Sequence, residues 1–197
     1  RVLVAWGGIG RARGLFSSPH GLTAAPDGTV LVSDTDNRRI QRFDAQGRYL
    51  ATIGGPDPES GGLLAPMDAV VARDGGLLVA DAGLQYGTSR IVRYDAEGHY
   101  RDASNVLWSS NFPPEWLDLA VAPDGRVALV DVAKSRVLWL SADGGSVTGN
   151  TVMHDPANIE RSPTALDFGP DGSLLIALAG AGIVRMSADG SSTPLVA

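Results

Sequence analysis

The chain has 197 residues, of which 44% are hydrophobic, 25 are glycine and 12 are proline, enough apolar content for a sizeable core and a composition of many turns rather than long helices. Its net charge of −6 argues against general binding to nucleic acid, which needs clustered Lys and Arg. The lack of cysteine excludes disulfides and thiolate metal sites, and no apolar run approaches the roughly 18 residues of a membrane helix.

In chain order, residues 1–14 open with a short apolar stretch through Trp6 that ends in glycines. Four similar units then follow. The first has an apolar stretch, Leu22 to Ala25, an Asp27-Gly28 turn, a strand at Val30 to Val32 ending on Asp34, a strand at Ile40 to Phe43, an Asp44 to Gly47 turn and a strand at Tyr49 to Ile53. The second repeats this with Ala69 to Ala72, Asp74-Gly75, Leu77 to Val79 ending on Asp81, Ile91 to Tyr94 and the Asp95 to Gly98 turn. The third has Leu119 to Ala122, Asp124-Gly125, Val127 to Val130 ending on Asp131, Val137 to Leu140 and the Ser141 to Gly144 turn. The fourth has Leu166 to Gly169, Asp171-Gly172, Leu174 to Ile176, Ile183 to Met186 and the Ser187 to Gly190 turn, with Leu178 where the others carry the acid.

The four Asp-Gly pairs recur at intervals of 47, 50 and 47 residues, and self-similarity at such a period is the mark of a repeat architecture. Asp-Gly and Asx-x-x-Gly supply the positive φ of tight hairpins, and strands of three to five Val, Ile and Leu suit sheets packed on both faces. Four short antiparallel strands make one blade, which must stack on its neighbours around a channel. The fold class expected is therefore all-β: a β-propeller of four-stranded antiparallel blades, with about four blades present. The expected division is one propeller domain over 1–197, with 1–14 the last strand of a preceding blade and blades at 15–55, 62–105, 112–152 and 160–197. Because an open arc leaves sheet edges free, the segment reads as part of a five- or six-bladed ring.

The first unit resembles the NHL repeat. Pro19-His20-Gly21, Asp27-Gly28, the run Val32 to Asp44 with Asp34, Asn37, Arg38, Arg39 and Ile40, and Gly47 are similar to its consensus. The second unit keeps Asp81, Arg90-Ile91 and Tyr94 to Gly98, the third keeps Asp131 and Ser135 to Val137, and the fourth keeps turns and strands alone. The motif is specific for a propeller and not for an activity.

Two sets of connections share one face of such a propeller, those entering each blade and those between its second and third strands, and they surround a mouth of the channel, the default place for a ligand. Candidate ligand-binding residues there are His20, Asp34, Asn37, Arg38, Asp81, Arg90, Asp131 and Arg136, with Met67, Asp68, Asp118 and Thr164 at the blade entrances. Trp108 and Trp116 belong to an aromatic linker of the kind that anchors interfaces or stacks on sugars. The recurring acid and arginine read first as a structural pair, each carboxylate capping its turn or meeting the neighbouring guanidinium. In the peptidyl-hydroxyglycine amidating lyases, which look like NHL propellers, histidines at blade entrances hold zinc. The resemblance puts His20 in that setting, but Met67, Trp116-Leu117 and Thr164 fill the corresponding places, leaving His154 and Asp155 as further metal candidates. Gluconolactonase-like propellers hold calcium near the channel, and nothing in the spacing here demands such a set. No catalytic residue is assigned. The function expected is a non-catalytic binding module that presents loops to a protein, peptide or carbohydrate partner. A metal-dependent lyase or lactonase at the channel mouth is the alternative, with zinc or calcium as its cofactor. A bacterial source and an extracellular or periplasmic location are favoured over the cytoplasm.

Overall fold

The computed structural model describes residues 4–83, 89–107, 117–154, 160–187 and 192–194. These form four separate four-stranded antiparallel sheets, each made of consecutive strands in simple up-and-down order. Blade 1 contains β1 (Pro19–Ala24), β2 (Val30–Asp34), β3 (Arg39–Phe43) and β4 (Tyr49–Ile53). Blade 2 contains β5 (Pro66–Val71), β6 (Leu77–Asp81), β7 (Ser89–Tyr94) and β8 (Tyr100–Leu107). Blade 3 contains β9 (Leu119–Val121), β10 (Val127–Asp131), β11 (Arg136–Leu140) and β12 (Val147–Val152). Blade 4 contains β13 (Pro163–Phe168), β14 (Leu174–Leu178), β15 (Gly182–Met186) and β16 (Ser192–Pro194).

The Asp-Gly turn that opens each unit works the same way four times. The Asp carboxylate accepts the backbone N–H two residues on, from Thr29 at 2.9 Å, Gly76 at 3.0 Å, Arg126 at 3.0 Å and Ser173 at 3.1 Å. The following glycine takes the left-handed conformation, φ 80° at Gly28, which a side chain would strain. One local device therefore sets the first hairpin of every blade, and its carboxylate is held below the ordinary range mainly by its hydrogen bonds, as at Asp74 and Asp124.

Strands buried on both faces explain why the apolar runs are continuous instead of alternating with polar residues. In blade 2, Leu77, Val79, Val92 and Tyr94 join Leu31, Ile40 and Ile53 of blade 1 in one core. The alternate residues Leu78, Ala80 and Ile91 join Leu119, Val127, Leu129 and Leu138 of blade 3 in a second. Ala128, Val130 and Val137 of blade 3 meet Leu166, Leu174, Ile176 and Val184 of blade 4 in a third. The core is thus a series of layers between blades. On the outward faces of blades 1 and 4, Leu22 is 70% exposed and Ile183 is 41% exposed.

Residues 4–8 are not in a strand, and Ile9 forms an isolated bridge to Phe16. Trp6 and Phe16 both stack on Phe43, with ring centroids 6.2 and 5.6 Å apart, so this segment covers much of the outward face of blade 1. Between blades 1 and 2 the corresponding link is pinned by Tyr94, whose hydroxyl donates to the Ser60 carbonyl at 2.9 Å. Tyr94→Phe is expected to cost about 1 kcal/mol, seen as a fall of about 2–4 °C in thermal midpoint; an unchanged midpoint would show that the bond adds nothing to the link.

Candidate functional site

The four inner strands β1, β5, β9 and β13 neighbour one another, and their entrances surround a pocket of about 190 Å³. Each blade contributes two consecutive residues, His20-Gly21, Met67-Asp68, Leu117-Asp118 and Thr164-Ala165. Local irregularity places them there. The register shifts between Pro19 and Leu22, between Pro66 and Asp68, and between Pro163 and Ala165. Such bulges bend a strand and re-aim its side chains.

The pocket has an acidic floor. Asp68 is 4% exposed, and its Oδ2 accepts the Leu119 N–H of blade 3 at 2.9 Å. Asp118 Oδ2 accepts the Leu166 N–H of blade 4 at 2.7 Å. Both carboxyl groups line this pocket. Burial, then the negative charge of Asp118, pushes Asp68 up to about 7. Burial raises Asp118 as well, against the Leu166 N–H. A carboxyl group that exchanges a proton near neutrality is the kind of group found at functional sites.

The acid-and-arginine motif has a different placement. Asp34 is fully buried and accepts the Ser17 N–H at 2.7 Å, Arg39 Nε at 2.8 Å, Gln41 Nε2 at 3.0 Å and Asn37 Nδ2 at 2.9 Å. Asp81 is also fully buried and accepts the Leu64 and Ala65 N–H groups, each at 2.9 Å, and Arg90 Nε at 3.1 Å. Burial raises its carboxyl above the ordinary range despite these donors. Asp131, partly exposed, accepts Arg136 Nε at 2.8 Å. The remaining donors reach the links between blades. Arg38 Nε donates to the Leu63 carbonyl at 2.6 Å, Arg90 Nη2 to the Gly62 carbonyl at 2.8 Å and Asn37 Nδ2 to the Gly10 carbonyl at 2.8 Å. Asn37 and Arg90 tie the turn between second and third strands to the link entering the same blade, and Arg38 ties that turn to the link entering the next one. In blade 4, the buried Leu178 stands in the acid's place.

Trp108, Trp116 and Asp155 lie outside the described residues. His154 bridges Glu160 in the link between blades 3 and 4 and does not line the mouth pocket. The residues equivalent to His20 in the other blades are Met67, Leu117 and Thr164, so the three-histidine zinc set implied by the resemblance does not fit this mouth. Among the described residues, the group of three metal-ligating side chains whose donor atoms come together is Asp95, Glu97 and His99, in the turn between β7 and β8. There the Asp95 carboxylate already accepts the His99 N–H at 2.8 Å. Asp68 and Asp118 were readable in the sequence as mouth residues but not as a pair. The signal was their equivalent position in consecutive repeats.

The architecture is that of a β-propeller. The NHL repeat model matches residues 16–43, and with the blade structure this supports an NHL-repeat β-propeller. The chain is 31% identical over 137 residues to a probable peptidyl-alpha-hydroxyglycine alpha-amidating lyase of Caenorhabditis elegans, covering 66% of this chain and 38% of that protein. It is 26% identical over 141 residues to the protein brain tumor of Drosophila melanogaster, covering 71% of this chain and 13% of that one. A streptogramin B lyase structure superposes with a TM-score of 0.62 at 19% identity, covering 91% of this chain and 55% of that one. The chain therefore spans well under two thirds of the length of each. Among the described residues, no helix is long and apolar enough to cross a membrane.

Proposed function

We propose that this propeller is a non-catalytic binding module whose ligand surface is the channel mouth and the loops around it, facing a protein, peptide or carbohydrate partner. The observation that carries the reading is the pocket itself, to which all four blades contribute while Met67, Leu117 and Thr164 occupy the positions equivalent to His20. At about 190 Å³ it is smaller than the usual small-molecule site of about 300–1,000 Å³ and suits a chain end or a single sugar unit. Nucleic acid is disfavoured by the net charge of −6 and by the engagement of Arg38, Arg39 and Arg90 with carbonyls of the links.

The second reading, a metal-dependent lyase or lactonase at the same mouth, draws support from the 31% identity to the amidating lyase and from the position of His20. Metal analysis of the purified protein separates the two. The binding-module reading expects no stoichiometric zinc or calcium and no change in metal content in His20→Ala. Stoichiometric metal lost in that variant overturns it. On peptide and glycan arrays, hits at the mouth are expected to weaken at least about tenfold when Thr164→Arg fills the pocket; hits indifferent to that change place the ligand elsewhere.

A further inference from the structure

β1, β5, β9 and β13 are each the end strand of a sheet, so backbone groups along one edge have no ladder partner. The Asp118 carbonyl accepts the Val130 N–H of β10. The Leu119 N–H, on the other side of the same trans peptide, therefore faces the free edge. At the channel mouth three side chains reach from one blade to the inner strand of the next. Thr35 Oγ1 donates to the Pro66 carbonyl of β5 at 2.7 Å. Asp68 Oδ2 accepts the Leu119 N–H of β9 at 2.9 Å, and Asp118 Oδ2 accepts the Leu166 N–H of β13 at 2.7 Å. We infer that Thr35, Asp68 and Asp118 are the positioning residues of the channel mouth: each holds the entrance of the following inner strand, and together they set the spacing of the residues that line the pocket.

The repeat uses two places for this bond, and each joint draws on one or the other. Two residues after Pro19, Pro66 and Trp116 stand Gly21, Asp68 and Asp118. One residue after Asp34, Asp81 and Asp131 stand Thr35, Ala82 and Val132. Blade 1 thus has the hydroxyl and lacks the carboxyl, whereas blades 2 and 3 have the carboxyl and an apolar side chain in place of the hydroxyl. Blade 4 has Ala165 and Ala179 at the two places. Sterics decide the choice at the first joint. A Cβ at Gly21 would press on the Asp68 carboxyl and stand 2.7 Å from the Asp68 Cα, so the carboxyl route is closed where β1 meets β5. Thr35 is 6% exposed and Asp68 4%. Removing either leaves its backbone partner unpaired where water reaches poorly, which costs more than the bond itself is worth. The three bonds hold the mouth whatever it binds, so their test is independent of the proposed function.

Amide hydrogen exchange tests the inference because each substitution should act in the next blade and not in its own. In Asp68→Ala the Leu119 amide should exchange at least about tenfold faster while the Leu166 amide is unchanged, and Asp118→Ala should do the reverse. Asp68→Asn keeps an acceptor oxygen and should restore protection at Leu119. Thr35→Val should leave both amides as they are and lower the thermal midpoint by about 2–4 °C, with Thr35→Ser restoring it. A Leu119 amide indifferent to Asp68→Ala, or Leu119 and Leu166 speeding together in either variant, overturns the inference. An unchanged midpoint in Thr35→Val overturns it at the first joint. No variant is needed for one further measurement: in the unaltered protein the Leu119 amide should be protected although it faces a free edge, and exchange at the rate of an unstructured peptide refutes the Asp68 bond.

Discussion

Asp34→Ala is expected to lower stability by about 3–5 kcal/mol, or roughly 10 °C in thermal midpoint for a chain of this size. The carboxylate is fully buried and gathers donors from three directions: Ser17 in the link, Asn37 in the turn, and Arg39 and Gln41 on β3. Removing it takes the acceptor from the Nε–H of Arg39, 14% exposed, and from one N–H of the buried Gln41 amide, while their other N–H groups keep the Ala12 and Leu15 carbonyls. Leaving such donors unpaired costs more than the bonds were worth in exchange for water. Asp131→Ala is the internal control. It occupies the same place in blade 3, but its side chain is 19% exposed and its Arg136 partner 23%, so a loss of about 1 kcal/mol is expected. Hydrogen exchange at the Ser17 amide should accelerate in Asp34→Ala. Equal effects of the two substitutions, or an unchanged Ser17 amide, would mean that Asp34 is not the anchor of the link.

This contrast shows what the residues alone could and could not convey. The blades were legible because their determinants are local. The Asp-Gly turns recur in register, and each one closes on an N–H two residues away. The partnership of Asp34 with Arg39 was legible for the same reason, since five residues separate them across one turn. That Arg38 would reach Leu63 and Arg90 would reach Gly62 was not, because those bonds depend on where the links between blades come to rest. The mouth lies further still from local rules. Asp68 and Asp118 are 50 positions apart in the chain, with different neighbours, and line one pocket only because the inner strands of adjacent blades are packed side by side. Leu178, which breaks the acid series, fills part of the core between blades 3 and 4 and shows that a blade can dispense with the anchor.

Gly21→Ala is expected to cost about 3 kcal/mol through overpacking between blades 1 and 2. A Cβ at Gly21 would stand 2.7 Å from both the Asp68 Cα and the Met67 carbonyl oxygen, and would also press on the Asp68 carboxyl. Carbon atoms prefer separations of about 3.5–4.0 Å, and two of these obstacles are backbone, so β1 and β5 must part at the mouth. Gly28→Ala separates sterics from conformation. At φ 80° with nothing within 4 Å of its Cβ, it should lose only about 1–2 kcal/mol, from backbone strain alone. If Gly21→Ala proves no worse than Gly28→Ala, the close approach of β1 and β5 is not limiting. The crowding also explains the order of residues along the four blades. Asp68 and Asp118 satisfy the N–H of the next inner strand, but a carboxyl at position 21 would collide with Asp68. Gly21 is the residue that leaves room for the Asp68 carboxyl at the mouth. Asp68→Ala should therefore relieve only part of the cost of Gly21→Ala in the double variant, because the contacts to the Asp68 Cα and the Met67 carbonyl remain.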